Sequence, residues 1–424
     1  MDGRRILSDP TGILKRHLLH WAALQPYCLW LDSCGSSTDR YGDHEFMVGV
    51  ALQWDAGLAH HLDELGRTMA HGPRGWHFGF LGYDLKDELE PRLRADLQSS
   101  VAFPGMGIFR ADVVVTQKRN SSEVIFEAGY SERIHHAILD TPSPKAGVHG
   151  FTGFTSNFTE AEYCHTVERI RQHILEGEVY EVNLSQCFTA AIRIDAPVTL
   201  WERLVQSSPV PFSGYCKWGD LHVLCASPER FLRLHGHRLT TQPIKGTSPR
   251  GATPEADAQS AHRLRTSPKE QAENVMIVDL SRNDLHRSCE TGSVEVPQLF
   301  ELQTFPQVHH LVSTVTGRKR KDLSAVDVLR NTFPPGSMTG APKIRACELI
   351  AQYERLSRGV YSGGLGYFAP DGGFDFNVVI RSLVYDASAH RISYHVGGAI
   401  TWDSVPEEEY AETILKAKAI EGLF

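Results

Sequence analysis

The feature that most limits the possible folds is a series of strand-like segments near the C-terminus with only short turns between them. The segments are Leu365–Phe368, Phe374–Tyr385 and Arg391–Val396, and the first turn is Pro-Asp-Gly-Gly. Strands joined by short turns pair antiparallel, whereas parallel strands need a crossover, usually a helix, between them. We therefore predict an α+β fold built on antiparallel sheets, with amphipathic helices such as Pro406–Ile420 packed on them.

The composition of the chain shifts once, at residues 140–159, which are rich in proline, glycine, serine and threonine. Such a stretch is typical of a connector. We predict an N-terminal subdomain over residues 1–139, a connector over 140–159 and the main functional region over 160–424. A chain of 424 residues is long enough for one large enzyme core, and we expect the two parts to form a single compact core.

Charge and cysteine content argue against several classes of function. The net charge is −8, which disfavours a polyanion such as DNA as a partner. No uninterrupted run approaches the roughly 18 apolar residues that a membrane span needs. The eight cysteines include no Cys-x-x-Cys pair, which favours a reducing compartment. We expect a cytoplasmic protein that binds neither nucleic acid nor membrane.

One lysine stands in an unusually constrained setting. The stretch TTQPIKGTSPRG places Lys245 between Pro243 and Gly246, with Pro249 shortly after. The pattern predicts a strand followed by two proline-led turns, with the lysine held between the turns. A surface lysine needs no such frame, so the stretch indicates that the position of this amine matters.

Two predicted helices each carry a pair of glutamates one turn apart. Glu270 and Glu273 lie on one, and Glu409 and Glu412 lie on the other, with Lys416 on the same face. Taken separately, the simpler interpretations are a capping box at the first helix and a solvated polar face at the second. If the two faces met, four carboxylates would surround one point. Mg²⁺, which prefers oxygen ligands, would relieve their repulsion.

Two further stretches carry groups suited to an anionic ligand. GSMTGAPK predicts a helix that is capped by Thr339 or Gly340, with Pro342 in its first turn, and free N–H groups at such an end favour an anion. Arg381 follows three apolar residues in a predicted strand. Its charge needs a carboxylate partner, which can come from a ligand or from an internal salt bridge. His310 has no zinc-binding spacing and is more simply a buried histidine with satisfied hydrogen bonds.

A series of motifs in fixed order connects the chain to a known family. The motifs are SPERFL, PIKGT, ENVMIVDLSRND, HHLVSTVTG, GSMTGAPK, GYF, IRS and GGAI, followed by an ExxE helix. In this order they resemble the chorismate-utilising enzymes, which include anthranilate synthase component I, aminodeoxychorismate synthase component I, isochorismate synthase and salicylate synthase. The resemblance spans nearly the whole chain and is strongest from Phe158 onwards. It implies two antiparallel sheets packed face to face as a β-sandwich, with helices outside and the site between the sheets.

The resemblance also implies roles for individual residues. Magnesium would hold the ring carboxylate of chorismate, and other groups would hold the enolpyruvyl carboxylate and line the ring. The residues that match these roles are Glu273 and Glu412 as direct magnesium ligands, Glu270 and Glu409 in support, Lys416 near the ring carboxylate, Tyr361, Arg381, Gly397 and Gly398 at the enolpyruvyl carboxylate, and Ser337 and His310 at the ring.

Lys245 distinguishes the branches of the family. Anthranilate synthases usually carry alanine at this position, whereas aminodeoxychorismate synthases carry lysine, as here. In that branch the resemblance implies that Lys245 attacks C2 of chorismate while Glu229 protonates the departing C4 hydroxyl. We expect a desolvated, rigid loop to lower the pKa of this lysine. Glu181 stands where the water-activating branches carry lysine, so attack by water is disfavoured.

The chain lacks the glutaminase nucleophile motif G-x-C-x-G. We therefore expect ammonia to come from a separate glutamine amidotransferase subunit or from solution. The sequence favours aminodeoxychorismate synthase component I, in 4-aminobenzoate and folate synthesis, over anthranilate synthase component I. A non-catalytic subunit is the alternative of another class. Leu31-Asp32-Ser33 matches the tryptophan-feedback element only loosely, so we do not expect inhibition by tryptophan.

Overall fold

The computed structural model describes residues 4–54, 57–72 and 74–424. Most strands belong to two large sheets, and β8 pairs with β11 apart from them. The strands in chain order are β1 (Arg5–Ser8), β2 (Tyr27–Asp32), β3 (His44–Ala51), β4 (His77–Leu81), β5 (Met106–Arg110), β6 (Val113–Lys118), β7 (Glu123–Ala128), β8 (Val148–His149), β9 (Thr155–Ser156), β10 (Glu181–Ala191), β11 (Arg193–Ile194), β12 (Phe212–Trp218), β13 (Leu221–Ser227), β14 (Arg230–His235), β15 (Arg238–Gln242), β16 (Ile244–Pro249), β17 (Glu295–Thr304), β18 (Val308–Arg318), β19 (Gly340–Ala341), β20 (Gly364–Phe368), β21 (Phe374–Asn377), β22 (Ser382–Asp386) and β23 (Arg391–Ile400).

Helices cover the outer faces of the sheets. They are α1 (Ile13–Leu24), α2 (Leu62–His71), α3 (Lys86–Leu89), α4 (Glu132–Leu139), α5 (Glu160–Leu175), α6 (Pro197–Ser207), α7 (Pro254–Thr266), α8 (Pro268–His286), α9 (Ala325–Thr332), α10 (Lys343–Tyr353) and α11 (Pro406–Glu421). Short 3₁₀ turns lie at Tyr83–Leu85, Pro91–Leu93 and Gly336–Met338. Within the described ranges, no helix is both long and apolar enough to cross a membrane.

The first sheet has the spatial order β1-β7-β6-β3-β2-β12-β13-β22-β23-β10-β19, with β9 beside β10. The second has the order β16-β18-β15-β14-β21-β20-β4-β5, with β17 beside β18. Aromatic side chains from both sheets meet between them: Trp218 of β12 packs edge-on against Phe80 of β4, with ring centroids 5.3 Å apart. The prediction of two antiparallel sheets packed face to face, with helices outside, is confirmed.

Strands from the N-terminal third extend both sheets. β2 pairs with β12 in the first sheet, and β4 pairs with β20 in the second. Residues before the predicted connector therefore share two continuous sheets with residues after it. Within the connector itself, β8 and β9 form short pairings with β11 and β10.

The predicted strand Phe374–Tyr385 is wrong. The structure splits it into β21, which lies in the second sheet, and β22, which lies in the first. Residues 378–381 carry the chain from one sheet to the other. The backbone changes direction at Arg381, which has a φ of +51°. The apolar residues of the crossing are buried between the sheets, as Val378 and Val379 show. Their hydrophobicity therefore reflects burial without strand pairing.

A second crossing runs in the opposite direction. β13 in the first sheet ends at Ser227, and β14 in the second begins at Arg230. The two crossings are hydrogen-bonded to each other, since the Val378 N–H donates to the Glu229 carbonyl (3.0 Å) and the Ala226 N–H donates to the Arg381 carbonyl (3.2 Å). The fold thus brings Glu229 and Arg381 together at the place where the chain changes sheets.

Candidate active site

Lys245 joins the two sheets through an ion pair with Glu181. The lysine lies on β16 of the second sheet, and Glu181 is the first residue of β10 in the first sheet. The Lys245 Nζ lies 2.5 Å from Glu181 Oε1. Lys245 is 8% exposed and Glu181 is fully buried. The prediction that Lys245 is confined is confirmed, but it lies on a strand and not between two turns.

The local backbone explains how Lys245 faces inwards. The register between β16 and β18 shifts between Ile244 and Thr247. Gly246 has a φ of +90°, and a Cβ atom there would lie 2.9 Å from Glu270 Oε2. The positive φ favours glycine here, and a larger residue would also displace the Glu270 carboxylate on helix α8. Asn274 on α8 donates from Nδ2 to the Lys245 carbonyl (3.4 Å), which ties the strand to the helix.

The expectation that the pKa of Lys245 is lowered is wrong in this state of the protein. Burial by itself lowers the pKa of Lys245. The charge and hydrogen bond of Glu181, together with the charges of Glu273 and Glu229, outweigh burial and raise the pKa overall. Before substrate binds, Lys245 is therefore an ammonium ion held by a carboxylate.

Glu229 has the environment of a general acid at neutral pH. Its side chain is buried at the first crossing. Burial raises the pKa of Glu229 to about 7, against the opposing effects of the Ser337 hydroxyl and the charges of Lys245 and Arg381. A carboxyl group with a pKa near 7 can donate a proton and regain it at physiological pH.

Arg381, in the crossing between the sheets, forms a hydrogen-bonded pair with His310 on β18 of the second sheet. Arg381 Nη2 lies 2.8 Å from His310 Nε2, and Thr247 Oγ1 lies 2.9 Å from His310 Nδ1. A guanidinium only donates, so Nε2 accepts and Nδ1 carries the proton that is donated to Thr247. Burial lowers the pKa of His310 to about 3, and the Arg381 charge contributes to this, so the ring is neutral.

Arg381 has donors left over for a ligand. Among the described side chains its hydrogen-bond partner is His310, and an internal carboxylate within ion-pair distance is not found. Burial lowers the pKa of Arg381 to about 10, although the Glu229 charge opposes this. The interpretation of Arg381 as an internal salt bridge is therefore wrong. The arrangement favours an anionic ligand at this guanidinium.

Ser337 and Tyr361 are supported by an ion pair that the sequence interpretation missed. Arg358 binds Glu354 (2.6 Å), and it donates to the Met338 carbonyl next to Ser337 (2.6 Å). The Arg358 guanidinium also lies 5.9 Å from the centre of the Tyr361 ring. Arg358 and Glu354 are buried. The only sequence signal for this support was an arginine three residues before Tyr361.

Gly397 and Gly398 lie on β23 opposite Ser185 and Leu184 of β10. A Cβ atom at Gly397 would lie 2.2 Å from the Leu184 carbonyl oxygen, so only glycine fits there. Lys416 on α11 donates to the Gly397 carbonyl at 2.7 Å. The structure therefore places the glycine pair directly beneath the helix that carries Lys416.

The four glutamates lie on two helices that approach each other at their N-terminal ends. Lys269 at the start of α8 lies 4.0 Å from Asp403, just before α11. Burial raises the pKa of Glu270, and the Glu412 charge on the other helix adds to this. Burial also raises the pKa of Glu273 to about 7. The two carboxylate faces therefore influence each other across the gap between the helices.

The glutamates are not assembled into a compact ligand set. Within the described ranges, no three of these four carboxylates have oxygens that all lie within 4.8 Å of one another. Glu412 instead pairs with Lys416 at 2.7 Å, and Glu409 accepts from Ser404 at 2.7 Å. The Ser267 hydroxyl accepts from the Glu270 N–H, but α8 has no reciprocal capping box. The capping-box interpretation of Glu270 is therefore wrong.

The predicted helix cap at Thr339 or Gly340 is also wrong. Gly340–Ala341 forms the short strand β19 against β10, and α10 begins only at Lys343, with Pro342 at its N-cap position. Lys343, the first residue of α10, donates from Nζ to Asp284 (2.6 Å) and to the Thr332 carbonyl. The GSMTGAPK stretch therefore supplies Ser337 to the site and does not present a helix end to an anion.

The comparison with known families decides the membership of the chain. The model of the chorismate binding enzymes matches residues 27–422. The chain belongs to the chorismate binding enzyme family. The match begins at β2 and extends past the end of α11, so it covers every strand except β1, and it includes the site between the sheets.

Named relatives of this chorismate binding enzyme include two aminodeoxychorismate synthases. The chain is 38% identical to "Aminodeoxychorismate synthase component 1" of Klebsiella aerogenes over 82% of this chain and 76% of that protein. It is 47% identical to "Aminodeoxychorismate synthase" of Streptomyces griseus over 60% of this chain, but the match spans only 35% of that longer protein.

A solved structure with the same fold is anthranilate synthase component I from Streptococcus pneumoniae TIGR4. It superposes with a TM-score of 0.74 and 26% sequence identity, covering 98% of this chain and 92% of that one. The anthranilate synthase-like fold predicted from the sequence is confirmed.

Proposed function

We propose that this chorismate binding enzyme is aminodeoxychorismate synthase component I. It would aminate chorismate at C4 to give 4-amino-4-deoxychorismate for 4-aminobenzoate and folate synthesis. The observation that carries the proposal is the buried Lys245, which extends from β16 into the space between the sheets, near Glu229. The relative with 38% identity is named aminodeoxychorismate synthase component 1 and the relative with 47% identity is named aminodeoxychorismate synthase, which supports the same assignment.

Lys245 and Glu229 account for the first half of the reaction. The Lys245 amine would attack C2 of the ring, the ring double bonds would shift, and the C4–O bond would break. Glu229, with a pKa near 7, would give its proton to the departing hydroxyl, which leaves as water. Ammonia then attacks C4, and the bond between C2 and Lys245 breaks to release the amine.

The substrate is a dianion, and the site offers cationic and neutral donors to meet it. Arg381 has donors not used by His310, which suits the enolpyruvyl carboxylate, together with the Tyr361 hydroxyl and the backbone of Gly397 and Gly398. Lys416, anchored to the Gly397 carbonyl, is suited to the ring carboxylate. An acidic chain with a net charge of −8 can therefore still bind an acidic substrate.

We propose that magnesium binds at the helix pair, because carboxylate oxygens are the ligands that this ion prefers. Glu273 and Glu412 would be direct ligands, and Glu270 and Glu409 would support them. The raised pKa values of Glu270, Glu273 and Glu409 reflect burial and, in part, mutual repulsion, which a divalent cation would relieve. When bound, the ion would supply positive charge that holds the ring carboxylate.

The proposed source of ammonia is a separate glutamine amidotransferase subunit. The chain has no G-x-C-x-G element. The name "component 1" of the Klebsiella relative supports a two-component enzyme.

Anthranilate synthase component I is the second candidate, because a structure of that enzyme shares this fold at 26% identity. Product analysis separates the two. Purified chain with chorismate, Mg²⁺ and ammonium should form aminodeoxychorismate, measured by chromatography and mass spectrometry. Anthranilate as the main product would refute the proposal. Absence of any chorismate turnover would favour a non-catalytic subunit.

Substitution of Lys245 tests the role of the amine. Lys245→Ala removes the nucleophile, and aminodeoxychorismate formation should fall by ~10²-fold or more. Lys245→Arg should not restore it, because a guanidinium stays protonated and points its donors differently. Undiminished synthesis by Lys245→Ala would contradict the mechanism.

A further inference from the structure

The Lys245–Glu181 pair raises a difficulty that the proposed mechanism does not solve. An amine attacks only through a free electron pair, but Lys245 is held as an ammonium ion by Glu181 at 2.5 Å. Both side chains are buried, so direct release of the proton to bulk water is hindered. The proton must therefore move to a group inside the site before C2 can be attacked.

The carboxylate of Glu181 has the geometry to take that proton. Its Oε1 accepts from Lys245 and, at 3.4 Å, from the Asn183 side-chain amide. Its Oε2 is buried and has no hydrogen-bond partner among the described residues. A buried oxygen without a donor is costly when charged, and protonation or a ligand donor would remove that cost.

The other charged groups that face Lys245 are less suited to the task. They are Glu229, from the crossing between β13 and β14, and Glu273 and Glu270, from α8. Glu229 must hold its own proton to act as the acid for the C4 hydroxyl. Glu273 is the proposed magnesium ligand, and among the described residues Lys245 makes its close ion pair with Glu181 and not with Glu273. In the part of the chain that the structure describes, Glu181 is the carboxylate in contact with the amine.

We propose that Glu181 is the positioning residue that takes the proton of the Lys245 ammonium and so frees the amine for attack. This inference rests on the proposed function. In the first step the N–H proton of Lys245 moves to a Glu181 oxygen, which leaves a neutral amine beside a neutral carboxylic acid. The amine electron pair then forms the bond to C2, and the C4 hydroxyl leaves as water with the proton of Glu229.

The second half restores every group. Ammonia bonds to C4, the C2–N bond breaks, and its electron pair returns to Lys245 as a neutral amine. The new C4 ammonium gives one proton to the Glu229 carboxylate, and Glu181 returns its proton to Lys245. The net reaction is chorismate plus ammonia giving aminodeoxychorismate plus water, with no oxidant or reductant.

This exchange predicts a distinctive dependence on pH. As long as the pair shares a single proton, the fraction present as neutral amine and carboxylic acid does not change with pH. In Glu181→Gln the acceptor is lost, so the amine forms only by release of a proton to solvent. Its amount then rises about tenfold per pH unit below the pKa of the lysine.

The test is a single-turnover measurement with chorismate and Mg²⁺ but without ammonium. Intact-protein mass spectrometry follows the Lys245 adduct, whose mass gain is that of chorismate less one water. At saturating Mg²⁺, wild type should form the adduct at a rate that stays level from pH 5.5 to 6.5. In Glu181→Gln the amine forms only by loss of a proton to solvent, so the rate should climb about tenfold over the same pH unit.

Two further variants keep the test decisive. Glu181→Asp retains a carboxylate, so it should keep the level profile even if its rate is lower. Glu178→Gln makes the same change three residues earlier, on a partly exposed side chain paired with Arg345, and should behave as wild type. In steady state, Glu181→Gln should lower kcat with little change in the KM for chorismate.

The outcomes separate this inference from the proposed function. If Glu181→Gln forms the adduct at the wild-type rate with the wild-type pH profile, the role of Glu181 is refuted while the mechanism stands. The role is also refuted if Glu181→Asp shows the same rising profile as Glu181→Gln. If wild type itself forms no adduct and makes anthranilate, the proposed function fails.

Discussion

Because Glu229 is the proposed acid, the rate of the reaction should fall as the pH rises above neutrality. Because burial raises its pKa to about 7, about nine-tenths of the carboxyl is protonated at pH 6 and about one-tenth at pH 8. In the proposed mechanism the rate of C4–O cleavage depends on the protonated form of Glu229, so it should fall about tenfold between these values. Binding of chorismate, a dianion, would move this decline towards higher pH, because nearby negative charge favours the protonated acid.

The assay must separate the loss of protonated Glu229 at high pH from the change in the concentration of free ammonia. At constant total ammonium, free NH₃ rises about tenfold per pH unit below the pKa of ammonium, as for any weak base. The two trends then cancel, and the rate is nearly level above neutrality. At constant free NH₃ the decline in rate is visible and can be fitted to one ionisation.

Glu229→Gln should lower kcat by ~10²- to 10⁴-fold, as expected for loss of a general acid, and the remaining rate should not decline with pH. A wild-type rate that stays level from pH 6 to 9 at constant NH₃ would refute this assignment.

Three other predictions follow from the site. Turnover should require Mg²⁺, and Glu273→Gln or Glu412→Gln should lower it by orders of magnitude; full activity of both variants in EDTA would contradict the metal assignment. The isolated chain should use ammonium at alkaline pH but not glutamine, which an assay of glutamine-dependent turnover would check. Gly397→Ala should destabilise the fold by about 1–3 kcal/mol, because its Cβ would lie 2.2 Å from the Leu184 carbonyl oxygen. Gly105→Ala, where a Cβ would meet no atom within 4 Å, is the matched control for denaturant unfolding.

Local patterns were sufficient for the fold class and for many of the candidate residues. Antiparallel sheets followed from short turns between strands, and the face shared by Glu270 and Glu273 followed from the helical repeat. The position of Lys245 as a constrained, buried amine followed from the proline and glycine around it. These features depend on neighbours within a few residues, which a sequence displays directly.

Features that depend on distant residues were missed. Glu181 and Lys245 are separated by 64 residues and lie on different sheets, so nothing near PIKGT shows that a carboxylate raises the pKa of the lysine. The strand assignment at Phe374–Tyr385 failed for a related reason: buried crossing residues are as apolar as strand residues. The resemblance helped to choose candidate positions, but it did not reveal the support that Arg358 and Glu354 give to Ser337 and Tyr361.

The paired crossings join the two sheets at one place. Glu229 and Arg381 lie at these crossings, and Lys245 and Glu181 face each other from opposite sheets. The distance between Glu229, Lys245 and Arg381 therefore depends on the side chains that fill the space between the sheets, such as Trp218 and Phe80. In the proposed mechanism, substitutions in that distant packing would change the reach of Lys245 to C2 without altering any group that touches the substrate. Enzymes of this design can thus be retuned from the core as well as from the site.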